Sequence, residues 1–187
     1  ASRGVKVLHA DQMAADLIDA RRDIRARIRR TFGEGVIRPD GTLDRKAMAR
    51  LAFTDDGLIA KLNAIVHPCV LDAMEEEIAR FRRSGRQAII MIEAALVYEA
   101  RAEGMFDYVI VVDAPEAKRI ARVAARDHAG RAEVLQRIGA QMPVGKKIAR
   151  ADVVIRNTGD LALLEKNCRI VHGMLIGLAS GSKAASE

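Results

Sequence analysis

Three acidic residues close short apolar runs in this 187-residue sequence, and a dense basic stretch follows them. Asp11 comes just after Val5–Leu8, Glu93 after Ala88–Ile92, and Asp113 after Tyr108–Val112. In an open α/β sheet the carboxyl ends of strands face the ligand crevice. A carboxylate there can orient an attacking hydroxyl, accept its proton, or hold Mg²⁺ through water. From Lys118 to Arg150 run Arg119, Arg122, Arg126, Arg131, Arg137, Lys146, Lys147 and Arg150. That charge density could close over phosphates and neutralise the charge that develops during transfer. Acids at strand ends beside a basic lid are the pattern of metal-assisted phosphoryl transfer, with Asp11 or Asp113 as the Mg²⁺-side carboxylate.

Each feature has a plainer alternative. Asp11 could instead cap the helix that follows it. His9, two residues earlier, points to the same side of the strand and could tune Asp11 or be structural. The basic run could be a solvated helix surface, although Arg122 and Arg126, at i and i+4, share a face and could grip one anion together. His67-Pro68 interrupts a long helical pattern, where proline removes an amide donor and kinks or restarts the helix. A kink there would aim the imidazole into a cleft; a simple junction would leave it as a satisfied core group.

The elements that must position these residues are legible in the periodicity. Val5–Leu8, Ala88–Ile92, Tyr108–Val112 and Val153–Ile155 read as strands. Their lack of polar alternation suits a parallel sheet covered by helices on both faces. Helical spacing is clear in Lys46–Phe53, Leu58–Phe81, Pro115–Arg126 and Leu161–Leu175, with Asp44 able to cap the first of these. Strands alternating with helices predict a single α/β three-layer domain. Roughly residues 13–82 are longer than a crossover needs and predict a helical subdomain. Residues 115–150 predict a lid, and the Ser/Ala/Gly-rich stretch 179–187 predicts a mobile tail.

Composition narrows the partners. A net charge of +6, from 31 Lys and Arg against 25 Asp and Glu, favours an anion. Four Phe, two Tyr and no Trp are few stacking groups for single-stranded nucleic acid, so phosphorylated small molecules lead. Cys69 and Cys168 have no metal or redox spacing; both are expected to be buried, in a reducing cytoplasm. The apolar run Met174–Ala179 is too short to span a bilayer. The expectation is a cytoplasmic protein with no nucleic-acid or membrane partner, monomeric or weakly oligomeric.

Taken together, the segments resemble the dephospho-CoA kinase family from Gly4 to about Leu175. The resemblance rests on His9-Ala10-Asp11-Gln12-Met13-Ala14, Phe32-Gly33, Asp40-Gly41-Thr42-Leu43-Asp44-Arg45 and a leucine-rich helix into His67-Pro68. It continues through Glu93 to Tyr98-Glu99, Phe106-Asp107, Arg122 to Arg126-Asp127, Arg137-Ile138, Gln141-Met142-Pro143 and Ala151-Asp152 to Asn157. It implies a P-loop nucleotide-kinase-like fold and ATP-dependent phosphorylation of the ribose 3′-hydroxyl of dephospho-CoA, with ATP and Mg²⁺. Asp11 would be the base. His67, Glu93 and Tyr98 would belong to the substrate side, with His67 lining the pantetheine. Arg122, Arg126, Arg137 and Lys147 would belong to the lid over ATP, and Asn157 would lie near adenine. Another small-molecule nucleotide kinase remains the alternative enzyme.

Several positions depart from that pattern. His9 and Glu93 replace aspartates, Ala95 a proline and Leu71 an arginine, and Arg156 stands where an acid is common. Family members also carry a strand, a Gly-x-x-x-x-Gly-Lys-Ser/Thr loop and a helix before the glycine matched by Gly4. The loop's amides and lysine hold the phosphates, and its hydroxyl binds Mg²⁺. The leading expectation is that these elements precede Ala1, and that residues 1–187 alone do not transfer phosphate. A permuted order would instead use Met174–Leu178 as the strand and Gly181-Ser182-Lys183 as the loop. A non-catalytic relative that binds coenzyme A or a nucleotide is the third reading.

Overall fold

The computed structural model describes residues 5–44, 47–48, 51, 56–85 and 89–184. Most of the helix expected over Lys46–Phe53 lies outside them, as do Gly4, Arg45 and the last residues of the tail. The strands are β1 Lys6–His9, β2 Ile90–Glu93, β3 Ile110–Asp113 and β4 Val153–Arg156. The helices are α1 Ala10–Ala20, α2 Arg22–Phe32, α3 Asp56–Ser84, α4 Glu116–Asp127, α5 Arg131–Gly139, α6 Val144–Arg150 and α7 Leu161–Ala184. The chain divides into two compact units between Ala95 and Leu96.

In the first unit β1 and β2 pair in parallel, with Lys6 opposite Ile90 and His9 opposite Glu93. Helices α1, α2 and α3 pack on one another. Their shared core holds Ile18, Ile24, Ile28, Ile65, Val66, Val70 and Met74, of which Ile24 and Ile28 are fully buried. The i, i+4 spacing of Ile24 and Ile28 puts both on one stripe of α2. Lys6 Nζ reaches Glu77 Oε2 at 2.6 Å and ties β1 to α3. The hydrogen bond from Lys6 holds the Glu77 carboxyl below its ordinary value, against the opposing pull of burial.

Two family-like motifs do local structural work here. Gly33 ends α2 with φ +85°, a left-handed conformation that favours glycine, and its N–H donates to Arg29 O at 2.8 Å. Asp40 Oδ1 accepts from the Thr42 amide at 2.9 Å and from its hydroxyl at 2.6 Å around Gly41, φ +80°. This turn closes the Ile37–Leu43 bridge. Asp44 Oδ1 then accepts from the Ala47 amide at 2.9 Å, the capping bond expected of it. Pro68 lies inside α3 without ending it. Among the described residues α3 is the one helix long and apolar enough to cross a membrane, but α1 and α2 pack against it.

In the second unit β3 and β4 pair in parallel, with Ile110 opposite Val153 and Asp113 opposite Arg156. Helices α4, α5 and α6 connect them. Helix α7 packs against β4 and runs through Ala184. Met174–Leu178 is therefore helical, and the permuted arrangement that needed a strand there is corrected. A short apolar run does not distinguish strand from helix, and here the longer helical pattern prevails. Cys69 is buried but Cys168 is exposed on α7, contrary to expectation. The strands are half-buried, with Ile155 the one described strand residue in the core.

Candidate active site

Every strand ends on an ionisable residue, and the parallel registers bring these ends together in pairs. In the first unit His9 Nδ1 lies 2.5 Å from Glu93 Oε2, with both side chains exposed. Of the two readings of His9, tuning Asp11 or a structural role, neither names its contact, which is Glu93, because register sets the two side by side at the strand ends. His9 is also the N-cap of α1 and makes no side-chain cap bond. Asp11 is thus not the cap. It sits exposed in the first turn of α1, and its carboxylate has no partner among the described residues. His67 is half-buried within α3, which continues through Pro68.

In the second unit Arg156 Nη1 pairs with Asp113 Oδ2, and the Asn157 amide donates to Asp113 O at 2.7 Å. Nearby, Lys118 Nζ donates to Thr158 O at 2.6 Å.

The stretch 115–150 takes part in two charge clusters, an outer and an inner one. Outside, Asp127 accepts from Arg126 Nε at 2.7 Å and from Arg137 Nη1 at 2.8 Å, while Arg137 Nη2 also meets Glu133 at 2.5 Å. The bond from Arg126, aided by Arg137, holds the Asp127 carboxyl below its usual range. Arg122 is exposed on α4 and has no partner among the described residues. Arg126 and Arg137 thus share Asp127 as a common anion.

Inside, Glu99 Oε1 accepts from the Met142 amide at 2.7 Å and from Lys147 Nζ at 2.8 Å. Burial alone would raise the Glu99 carboxyl; the bonds from Lys147 and Met142 together outweigh it and hold the carboxyl below its ordinary value. Arg150 pairs with Glu103 and places its guanidinium carbon 4.6 Å from the Tyr98 ring centroid. Tyr98 is buried, which pushes its phenol up, and its hydroxyl has no hydrogen-bond partner among the described residues. Glu99 and Arg150 are the residues whose part the motifs understate. The one signal for them is the Tyr98-Glu99 pair together with the i, i+3 spacing of Lys147 and Arg150.

A family profile described as dephospho-CoA kinase matches residues 1–162. This chain belongs to the dephospho-CoA kinase family. Similar curated proteins of that name include one from Anaeromyxobacter dehalogenans, 42% identical over 158 residues that cover 84% of this chain and 74% of the relative. Another, from Geobacter sulfurreducens, is 40% identical over 163 residues, covering 87% and 82%. A crystal structure from Thermus thermophilus, 38% identical, matches with TM-score 0.72 over 93% of this chain and 86% of that one. A dephospho-CoA kinase from Campylobacter jejuni, 21% identical, shares the fold at TM-score 0.67, covering 94% and 88%. The fold is α/β, of the P-loop kinase kind.

Against the dephospho-CoA kinase pattern, three of the departures now have partners. His9 and Glu93 replace two aspartates and contact each other, so an acid–base pair stands where two like charges would face across the register. Arg156, in place of an acid, supplies the countercharge of Asp113. That pairing sets a guanidinium beside a carboxylate expected on the Mg²⁺ side. Mg²⁺ in kinases takes one or two carboxylates plus substrate phosphates, and no group of three or more acidic, His or Cys ligands occurs among the described residues.

Proposed function

We propose that this protein transfers the γ-phosphoryl group of ATP to the ribose 3′-hydroxyl of dephospho-CoA, with Asp11 as its catalytic base. The family match over residues 1–162 carries this reading. In the step, the Asp11 carboxylate takes the hydroxyl proton, the hydroxyl oxygen bonds to the γ-phosphorus, and the bridging oxygen departs with ADP. Mg²⁺, held through Asp11 and the phosphates, would neutralise charge on the phosphate oxygens.

The remaining residues bind and orient. Arg122 is a lid cation with no partner among the described residues, while Arg126 and Arg137 must exchange Asp127 for phosphate oxygens. Their pairs are exposed, so water and salt already weaken them and the exchange is easy. Lys147 belongs to the same lid, Asn157 to the adenine end, and His67, Glu93 and Tyr98 to the dephospho-CoA side. The protein works as a soluble small-molecule kinase in the cytoplasm.

The test is an assay of the full-length protein with ATP and dephospho-CoA, reading coenzyme A by mass. Asp11→Asn should lower kcat by about 10²–10⁴-fold while leaving the KM for ATP within about twofold. Unchanged kcat would remove Asp11 from catalysis. Turnover on nucleoside monophosphates with none on dephospho-CoA would replace the substrate assignment.

A further inference from the structure

Helix α6 is too short to hold itself together, since isolated helices below about 12 residues are marginal in water. Its position must come from outside contacts, and three of them converge on one turn. Just before the helix, the Met142 amide is bonded to Glu99. Within it, Lys147 is bonded to the same Glu99 oxygen. At its last residue, Arg150 pairs with Glu103 and covers the ring of Tyr98. Lys147 and Arg150 share a helix face at i, i+3. Pro143 follows Met142 directly as the N-cap, restricting Met142 to extended backbone and setting where α6 begins.

The turn that receives these contacts is itself closed. The Ala100 amide donates to Leu96 O and the Ala102 amide to Val97 O, each at 2.9 Å, and Arg101 adopts φ +54°. Tyr98 and Ala102 are buried beneath it. The arrangement is poor as a pure stabiliser. Glu99 Oε1 takes both donors while Oε2 is buried with no partner, so part of the carboxylate's desolvation goes uncompensated. Such a pair is better suited to setting position than to adding stability.

We propose that Glu99 is the positioning residue of the lid: by holding Met142 and Lys147 on one oxygen it fixes α6, and with it the reach of the lid arginines toward ATP. This rests on the kinase reading above for what the lid grips. Lys147 accordingly acts as an anchor, its ammonium committed to Glu99 rather than to phosphate.

The experiment combines steady-state kinetics with amide hydrogen exchange on the full-length protein. Glu99→Gln keeps an acceptor for Met142 but loses the charge facing Lys147. It should raise the KM for ATP about tenfold, with kcat and the KM for dephospho-CoA each within about twofold. Glu99→Ala should also speed exchange of the Met142–Arg150 amides at least about tenfold. Lys147→Ala should match Glu99→Gln, and the double variant should be no worse than either alone. A Lys147→Ala effect that adds fully to Glu99→Gln, or an unchanged KM for ATP in Glu99→Gln, would overturn the anchor. The two readings fail separately. Wild-type protein that makes no coenzyme A defeats the substrate assignment, whereas unaltered exchange in Glu99→Ala defeats the anchor whatever the substrate.

Discussion

In the proposed lid, the buried pair taken as its base joins Glu99 and Lys147 with side chains 19% and 15% exposed; at the pair taken as its tip, Arg137 and Arg126 meet Asp127 while 43% and 73% exposed themselves. The chemistry is the same in both places, a carboxylate against a nitrogen cation, and the surroundings differ. Water and salt screen the tip, so its arginines can trade partners. The base pair sits away from solvent, where losing one partner strands the other. Under the proposed kinase reading, a lid that releases and regrips phosphate would need this division between a buried pair, its root, and an exposed one.

The largest effect should come from cutting the root. Lys147→Ala leaves Glu99 largely buried without its cation and should cost about 1–3 kcal/mol of unfolding free energy, read by denaturant titration. Asp127→Ala at the tip should leave the midpoint unmoved, and equal losses would erase the distinction. Acid should come next. Glu99 has a depressed carboxyl value in the folded protein, so its contribution is complete above the unfolded value of about 4.3 and is lost as pH falls through the lower folded value. Exchange protection over Met142–Arg150 should therefore persist at pH 5 and fall below about pH 4, and Glu99→Gln should remove that dependence. The smallest effect belongs to an exposed pair elsewhere. His9→Asp sets a carboxylate against Glu93 and should cost at most about 1 kcal/mol by denaturant titration. A larger loss would mean that exposure is a poor guide to what these pairs contribute.

Much of this was legible from residue order. The parallel strands, the helices over Leu58–Phe81 and Pro115–Arg126, and the Asp44 cap follow from local periodicity and capping chemistry. The acids at the ends of β2 and β3 were also found in place. Their partners were not legible. His9 finds Glu93 and Asp113 finds Arg156 only because strand register aligns them, and register is set by packing between segments far apart in the chain. The basic stretch read as one lid. Burial separates Lys147 from exposed Arg122, Arg126, Arg137 and Arg150, a difference that charge alone does not carry. Met174–Leu178 misled because a few apolar residues suit either periodicity.

By itself the sequence determined the class of fold, the family and the chemical inventory, because strand and helix patterns and motif spacing are local properties of the chain. Tertiary structure alone decided which charges are spent on one another. It pairs Asp113 with Arg156, sets Lys147 against Glu99, and leaves Asp11 and Arg122 without partners among the described residues. The physical reason is that charge interactions depend on distance and on exclusion of water, and both are properties of the packed chain.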